Sequence, residues 1–138
     1  MPPACCAPVQ EALPLLRRDR RWQMYDREPI PSWVDGCLAL LSDAAHPMRQ
    51  YLAQGSCQSM QDGVALPNAL TGAADVPTGL AGYADARRDR AARVQATARV
   101  WGELACRRGA RLLRNELLRS LPAGHVRYVD WLYGPPRD

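Results

Sequence analysis

CLALLSDAAHPMRQYLAQGSCQSMQDGVAL, residues 37–66, places an apolar run, an acidic turn and a glycine-led helix start in immediate succession. Leu38, Ala39, Leu40 and Leu41 read as a buried strand. Asp43 then falls at the carboxyl end of that strand, where α/β folds hold their ligands. A carboxylate there can accept a hydrogen bond from a sugar-like hydroxyl. Gly55 opens a helical pattern whose first backbone N–H groups lack partners and whose macrodipole is positive at that end. Such an end suits a ligand edge that carries negative charge.

Helical spacing at Val9, Ala12, Leu13 and Leu16 predicts a helix over Pro8–Arg21, weakened by Pro14, after a disordered leader at 1–7. Trp22–Tyr25 is a strand candidate, and PIPSW stiffens the connection towards residue 37. The helix from Gly55 to about Leu70 contains Pro67, which removes the bond to the Gly63 carbonyl and should kink or stop it. A turn-rich linker at 71–78 precedes a long helix from Gly79 to Cys106. Its apolar face runs Leu80, Ala84, Ala91, Val94, Ala98, Trp101 and Ala105. Gly109 separates it from a second helix over Ala110–Leu121, which Pro122 and Gly124 end.

The 138 residues suit one domain, and 47% of them are apolar. All 18 basic residues are arginine, and lysine and phenylalanine are absent. A net charge of +4 is modest, and no apolar run suits a membrane span or a cleavable leader. A cytoplasmic location is expected, with neither nucleic acid nor membrane as partner. The five cysteines form no C-x-x-C pair and no zinc spacing, so no metal site is expected and free thiols are the reading. Cys37 is assigned to the buried strand as a packed residue. Cys57, in the first helical turn after Gly55, is placed where a thiol pKa can fall, although a packed small residue is the plainer reading. Ten arginines lie between Arg87 and Arg119. Interrupted by Asp89, Glu103 and Glu116, and without a stacking platform, they read as a solvated helix face. Trp22, Trp33, Trp101 and Trp131 read as core or interface fillers, and His125 as a surface residue.

Four motifs in order resemble the FAD-dependent aromatic hydroxylases, the salicylate and para-hydroxybenzoate hydroxylase family. Ser42-Asp43-Ala44-Ala45-His46-Pro47 followed by Ala53-Gln54-Gly55 is similar to the family's second flavin motif, G-D-A-A-H-P and then A-Q-G or G-Q-G. WQMYDREPIPSW (Trp22–Trp33) resembles its D-R-x-P-x-P-x-W approach, and Gln58 with Asp62 its Q-A-x-x-D helix. YADARRDRAARVQ (Tyr83–Gln95) is similar to Y-E-x-x-R-x-P-R-x-x-x-V-Q, and RYVDWLYG (Arg127–Gly134) to the closing W-L-Y-G. The sequence has no G-x-G-x-x-G turn, which places a helix N-terminus against the FAD pyrophosphate. The resemblance is therefore to the family's C-terminal third only, over residues 8–138.

The resemblance implies an α/β, mostly helical fragment, the C-terminal part of a Rossmann-like FAD-binding domain of the para-hydroxybenzoate hydroxylase type. It would have one or two short strands and a long C-terminal helix pair. The flavin motif would occupy 37–70, the helices 79–121 and the closing segment 125–134, with residues 37–41 joining a parallel sheet. In the family, NAD(P)H reduces FAD and dioxygen then hydroxylates an aromatic ring. Asp43 would hold the ribityl chain, Ala44 and the Pro47 carbonyl would lie near the reacting edge, and Gly55, Ser56 and Cys57 would offer N–H donors to the pyrimidine end. His46 would shape the turn beneath the ring. No catalytic residue is assigned.

Departures from the family pattern crowd this region: Ser42 stands where the family has glycine, Arg49-Gln50 where it has Leu-Pro, Gln61 where it has an acid and Asp89 where it has proline. Arg49 would put a charge near the ring, costly unless paired. The leading expectation is the C-terminal segment of an FAD-dependent aromatic monooxygenase, truncated or one half of a split enzyme and inactive as this chain alone. Its partner would be a chain carrying G-x-G-x-x-G, or a second copy, and its substrate a small aromatic. The alternatives are a non-catalytic helical interaction module and a cofactor-free enzyme derived from such a remnant.

Overall fold

In the computed structural model, Val34–Asp35 (β1) and Leu38–Ala39 (β2) form an antiparallel hairpin with Val34 opposite Ala39 and Asp35 opposite Leu38. Gly36, at φ 56°, holds the first of the two turn positions, where a two-residue hairpin requires a left-handed residue. The run at 37–41 is therefore not a buried strand bound for a parallel sheet. Cys37 lies in the turn and is exposed, Leu38 is 65% exposed, and only the Leu40 N–H extends the ladder, to the Trp33 carbonyl at 2.8 Å. The structure describes residues 6–106, 109, 111–120 and 129–133.

Ala7–Ala12 form a short helix (α1) that tightens into a 3-10 turn at Leu13–Leu15, around Pro14, and buries none of its residues. Proline's missing N–H explains why the predicted helix to Arg21 stops here. Trp22–Tyr25 make no strand, and Trp22, expected as a filler, is 82% exposed. The leader at 1–5, Pro122, Gly124, His125 and the closing segment up to 128 lie outside the described residues, as does Gly134.

Two helices carry the packing. Gly55–Leu70 (α2) runs through Pro67 to its expected end. Pro67 is exposed and sits in the last turn, so the bond it deletes is one the helix can lose. Val76–Cys106 (α3) starts three residues earlier than expected, because the Asp75 carboxylate caps the Thr78 N–H at 2.8 Å. The inward face of α3 buries Gly79, Leu80, Tyr83, Ala84, Arg87, Ala91, Val94 and Ala98. Gly79 marks the closest approach: a Cβ there would lie 2.8 Å from Leu70 Cδ2 and 3.1 Å from the Ala69 carbonyl oxygen. Trp33 and Ala45 close one end of this core. Leu52, Val94, Ala98 and Leu132 form a second cluster with half-buried Trp101 and Trp131. Arg111–Ser120 (α4) and Asp130–Tyr133 (α5) follow, and the Arg93 guanidinium lies 3.9 Å from the Trp131 ring centroid.

Candidate functional site

The acidic turn and the start of α2 face one another across an open groove of about 700 Å³, within the range of small-molecule sites. Ser42, Asp43, Met48, Gln50, Ala53, Gly55, Ser56 and Ser59 line it. Asp43 sits in the 3-10 turn Ser42–Ala44, exposed, and its carboxylate accepts no hydrogen bond from the described residues. On the facing wall, Ala53 at φ 50° turns the chain out of the 3-10 turn Gln50–Leu52 and into α2. No side chain caps that helix: the Gln54 side-chain oxygen Oε1 accepts Gln58 Nε2 at 3.1 Å instead. The first N–H groups of Gly55, Ser56 and Cys57 therefore have only the groove and solvent before them. Gly55 is half-buried, yet a Cβ there would meet no atom within 4 Å, so the space beside it belongs to the groove.

The other residues expected here are placed differently. The Ala44 carbonyl accepts the Arg27 guanidinium, and the Pro47 carbonyl accepts Gln95 Nε2 at 2.9 Å, so both are engaged within the chain. Cys57 is exposed, with its thiol 4.0 Å from the Ala53 carbonyl. Arg49 is paired: it meets Asp26 at 3.4 Å, and Asp26 also holds Arg99 at 2.5 Å. The bond from Arg99 lowers the Asp26 pKa, burial opposes it, and the charge of Arg49 adds to the lowering.

Beneath the groove lies a buried polar cluster whose members stand in the sequence motifs but whose meeting only the fold brings about. His46 Nε2 is 2.7 Å from Asp62 Oδ2, and both side chains are sealed from solvent. Asp62 also accepts Arg87 Nε at 2.9 Å and the Ser42 N–H at 3.0 Å. Arg87 donates further to Gln58 Oε1 and Gln61 Oε1, each at 2.9 Å. Burial alone would raise the Asp62 pKa, but the bonds from Arg87, His46 and Ser42 outweigh it and hold the group low. Burial, with the nearby Asp62 charge, pushes Tyr83 up to about 12, and its hydroxyl donates to the Leu40 carbonyl at 3.2 Å. Arg87 is thus no part of a solvated face. Its spacing shows why: it falls between Tyr83 and Ala91 on the stripe of α3 that packs inward. Among the described residues no group of three or more His, Cys, Asp or Glu could hold a metal, and no helix is long and apolar enough to cross a membrane.

In sequence and overall fold the chain is similar to FAD-dependent aromatic hydroxylases: it is a homologue of these enzymes and corresponds to their C-terminal part. It is 42% identical over 118 residues to 3-hydroxybenzoate 6-hydroxylase 1 of Aquipseudomonas alcaligenes, covering 83% of this chain and 30% of that protein. The 3-hydroxybenzoate 6-hydroxylase of Polaromonas naphthalenivorans is 39% identical over 132 residues, 94% of this chain and 33% of its own length. An FAD complex of Klebsiella pneumoniae HpxO superimposes with a TM-score of 0.81 at 26% identity, over 95% of this chain and 36% of that one. The chain spans about a third of the length of the curated relatives it matches. No family model matches it.

The residues present fit part of such a cofactor. A free carboxylate opposite an uncapped helix start supplies an acceptor for hydroxyls and donors for a ring carbonyl, which are the ribityl and pyrimidine ends of a flavin. The sequence has no glycine-rich turn to take up a pyrophosphate.

Proposed function

We propose that this chain supplies the flavin-facing C-terminal part of an FAD-dependent aromatic-ring monooxygenase. The observation that carries this reading is the groove in which the unbonded Asp43 carboxylate faces the uncapped start of α2. FAD, when bound, supplies the redox chemistry, accepting electrons from NAD(P)H and passing them to dioxygen.

The residues of this chain bind and orient. Asp43 accepts from the ribityl hydroxyls, and the N–H groups of Gly55, Ser56 and Cys57 donate to the pyrimidine edge, where the helix dipole favours negative charge. The Pro47 and Ala44 carbonyls, tied to Gln95 and Arg27, keep the turn in place and leave ligand contact to its other atoms. The pyrophosphate and adenosine require a segment with a G-x-G-x-x-G turn, carried by the same polypeptide or by a separate chain. The substrate is a small phenolic acid of the kind named for the relatives, 3-hydroxybenzoate, held mainly outside this chain. The location is the cytoplasm, where NAD(P)H is supplied.

The test is to co-express the chain with the G-x-G-x-x-G portion of a 3-hydroxybenzoate 6-hydroxylase and purify the complex. Flavin absorbance near one equivalent and NAD(P)H oxidation stimulated by 3-hydroxybenzoate are expected. A stable complex without flavin would point instead to an interaction module. Failure to assemble, with self-association of this chain, would do the same.

A further inference from the structure

Ser42 is held in a conformation that its residue type disfavours. At φ 56° it lies in the left-handed region, open to glycine and costly for a residue with a Cβ. Four bonds hold it there. Its N–H donates to Asp62 Oδ2 at 3.0 Å, its hydroxyl lies 2.6 Å from the Ser59 hydroxyl, and its carbonyl accepts the N–H groups of Ala45 at 2.9 Å and His46 at 2.8 Å. The next residue is Asp43, whose own side chain is tied to nothing among the described residues. The place from which that carboxylate projects is therefore set by the backbone turn at Ser42.

The bond to Asp62 is the one of the four that ends on a side chain sealed in the core. Asp62 projects from α2, is completely buried, and is itself fixed by Arg87 on α3 and by His46 at the end of the acidic turn. One carboxylate thus ties the two long helices to the turn that lines the groove. A carboxylate can serve all three donors at once, because it has two oxygens and about four acceptor sites. An asparagine can offer one oxygen only and would turn an NH2 towards at least one donor.

We infer that Asp62 is a positioning residue for the groove: by accepting the Ser42 N–H it holds the left-handed turn that aims Asp43 at the ligand. This inference rests on the flavin reading for the identity of the ligand, but its structural half does not. Because the constraint acts through φ, a glycine at position 42, which adopts positive φ without penalty, removes the need for Asp62 in ligand binding. A purely structural role for Asp62 predicts no such rescue.

The test has a flavin-free arm and a flavin arm, both on the full chain. In hydrogen exchange followed by NMR, the Ser42 amide of the unmodified chain should be protected. The Asp62→Asn variant should lose that protection while α2 and α3 keep theirs. A Ser42 amide that exchanges freely in the unmodified chain overturns the proposal without needing any variant to fold. In the second arm, riboflavin is titrated by fluorescence quenching. Asp62→Asn should weaken binding about tenfold, the scale of one residue's left-handed penalty, and Asp62→Asn with Ser42→Gly should recover it. Ser42→Val, which disfavours positive φ without touching Asp62, should weaken binding by a similar factor. Loss without rescue by glycine overturns the positioning role. If no variant and no unmodified chain binds riboflavin, the flavin reading falls, and the exchange arm still decides whether Asp62 holds Ser42.

Discussion

Arg87 and Asp62, 25 positions apart in sequence, meet at 2.9 Å with the carboxylate completely buried and the arginine 5% exposed. The pair joins α3 to α2 beside a core of Trp33, Tyr83 and small alanines. Breaking such a pair leaves a buried charge without compensation, which is far more damaging than losing a surface ion pair. Arg87→Leu should therefore destabilise the chain by about 3–5 kcal/mol. Arg119→Leu, at an exposed pair with Glu116, should change it by less than about 1 kcal/mol. Urea unfolding of the two variants checks the contrast.

The same carboxylate sets the acid limit of the fold. The bonds from Arg87, His46 and Ser42 lower the Asp62 pKa against the opposing effect of burial, and Asp26 is likewise lowered by Arg99. A group whose folded pKa lies below its unfolded value stabilises the fold fully above the unfolded value, about 3.9 for aspartate. That stability is lost as pH falls through the folded value. Thermal stability should thus decline on acidification below about pH 4. Asp62→Asn should flatten that decline while lowering stability at neutral pH. A decline of equal slope in the variant would assign the acid limit to other groups.

Two glycines of α3 give effects of opposite sign. A Cβ at Gly79 meets Ala69 and Leu70 at 3.1 Å and closer, backbone atoms included, so Gly79→Ala must push α2 and α3 apart and should cost about 1–3 kcal/mol. At exposed Gly82 a Cβ meets nothing within 4 Å, and Gly82→Ala should stabilise the helix by about 0.5–1 kcal/mol. Melting temperatures moving in opposite directions confirm the pair.

The helices were legible in the sequence because their signals are local. Gly55, the 3.6-residue period from Leu80 to Ala98 and the break at Gly109 each act within a few residues. The hairpin is not legible in the sequence because an apolar run of five residues does not reveal its pairing partner. The left-handed Gly36, one residue before the run, was the signal that it doubles back. Asp62 and Arg87 stood inside recognised motifs, yet their meeting depends on how two helices pack. Their phase on the inward stripes was the available clue, since Gln58 and Asp62, like Tyr83, Arg87, Ala91 and Val94, repeat at helical spacing. Arg49 beside a ring looked costly from sequence, and Asp26, 23 positions upstream, is what neutralises it.

Flavin binding by the chain alone should be weak and indifferent to the nucleotide half. The groove offers a carboxylate and helix N–H donors, but the sequence lacks the turn that cradles pyrophosphate. Riboflavin and FAD should therefore bind with dissociation constants within about tenfold of one another. Isothermal titration of both ligands provides the check, and a marked preference for FAD would reveal a phosphate contact within this chain.

Asp43 separates a cofactor role from a structural one. A residue in this position can cap its own turn by accepting backbone N–H bonds, and removing such a cap costs about 1 kcal/mol. Here the turn Ser42–Ala44 has no side-chain cap and Asp43 is exposed with no bond from the described residues. Asp43→Ala should then leave the unfolding free energy within about 0.5 kcal/mol, as for surface substitutions generally. A charge-assisted hydrogen bond to a ribityl hydroxyl is worth about 1.5–3 kcal/mol. In a complex assembled with the G-x-G-x-x-G portion of a relative, the substitution should weaken FAD binding roughly ten- to a hundredfold. Both quantities are measured on one variant. An unchanged FAD affinity beside a lowered melting temperature would give Asp43 back to the turn and remove it from the cofactor site.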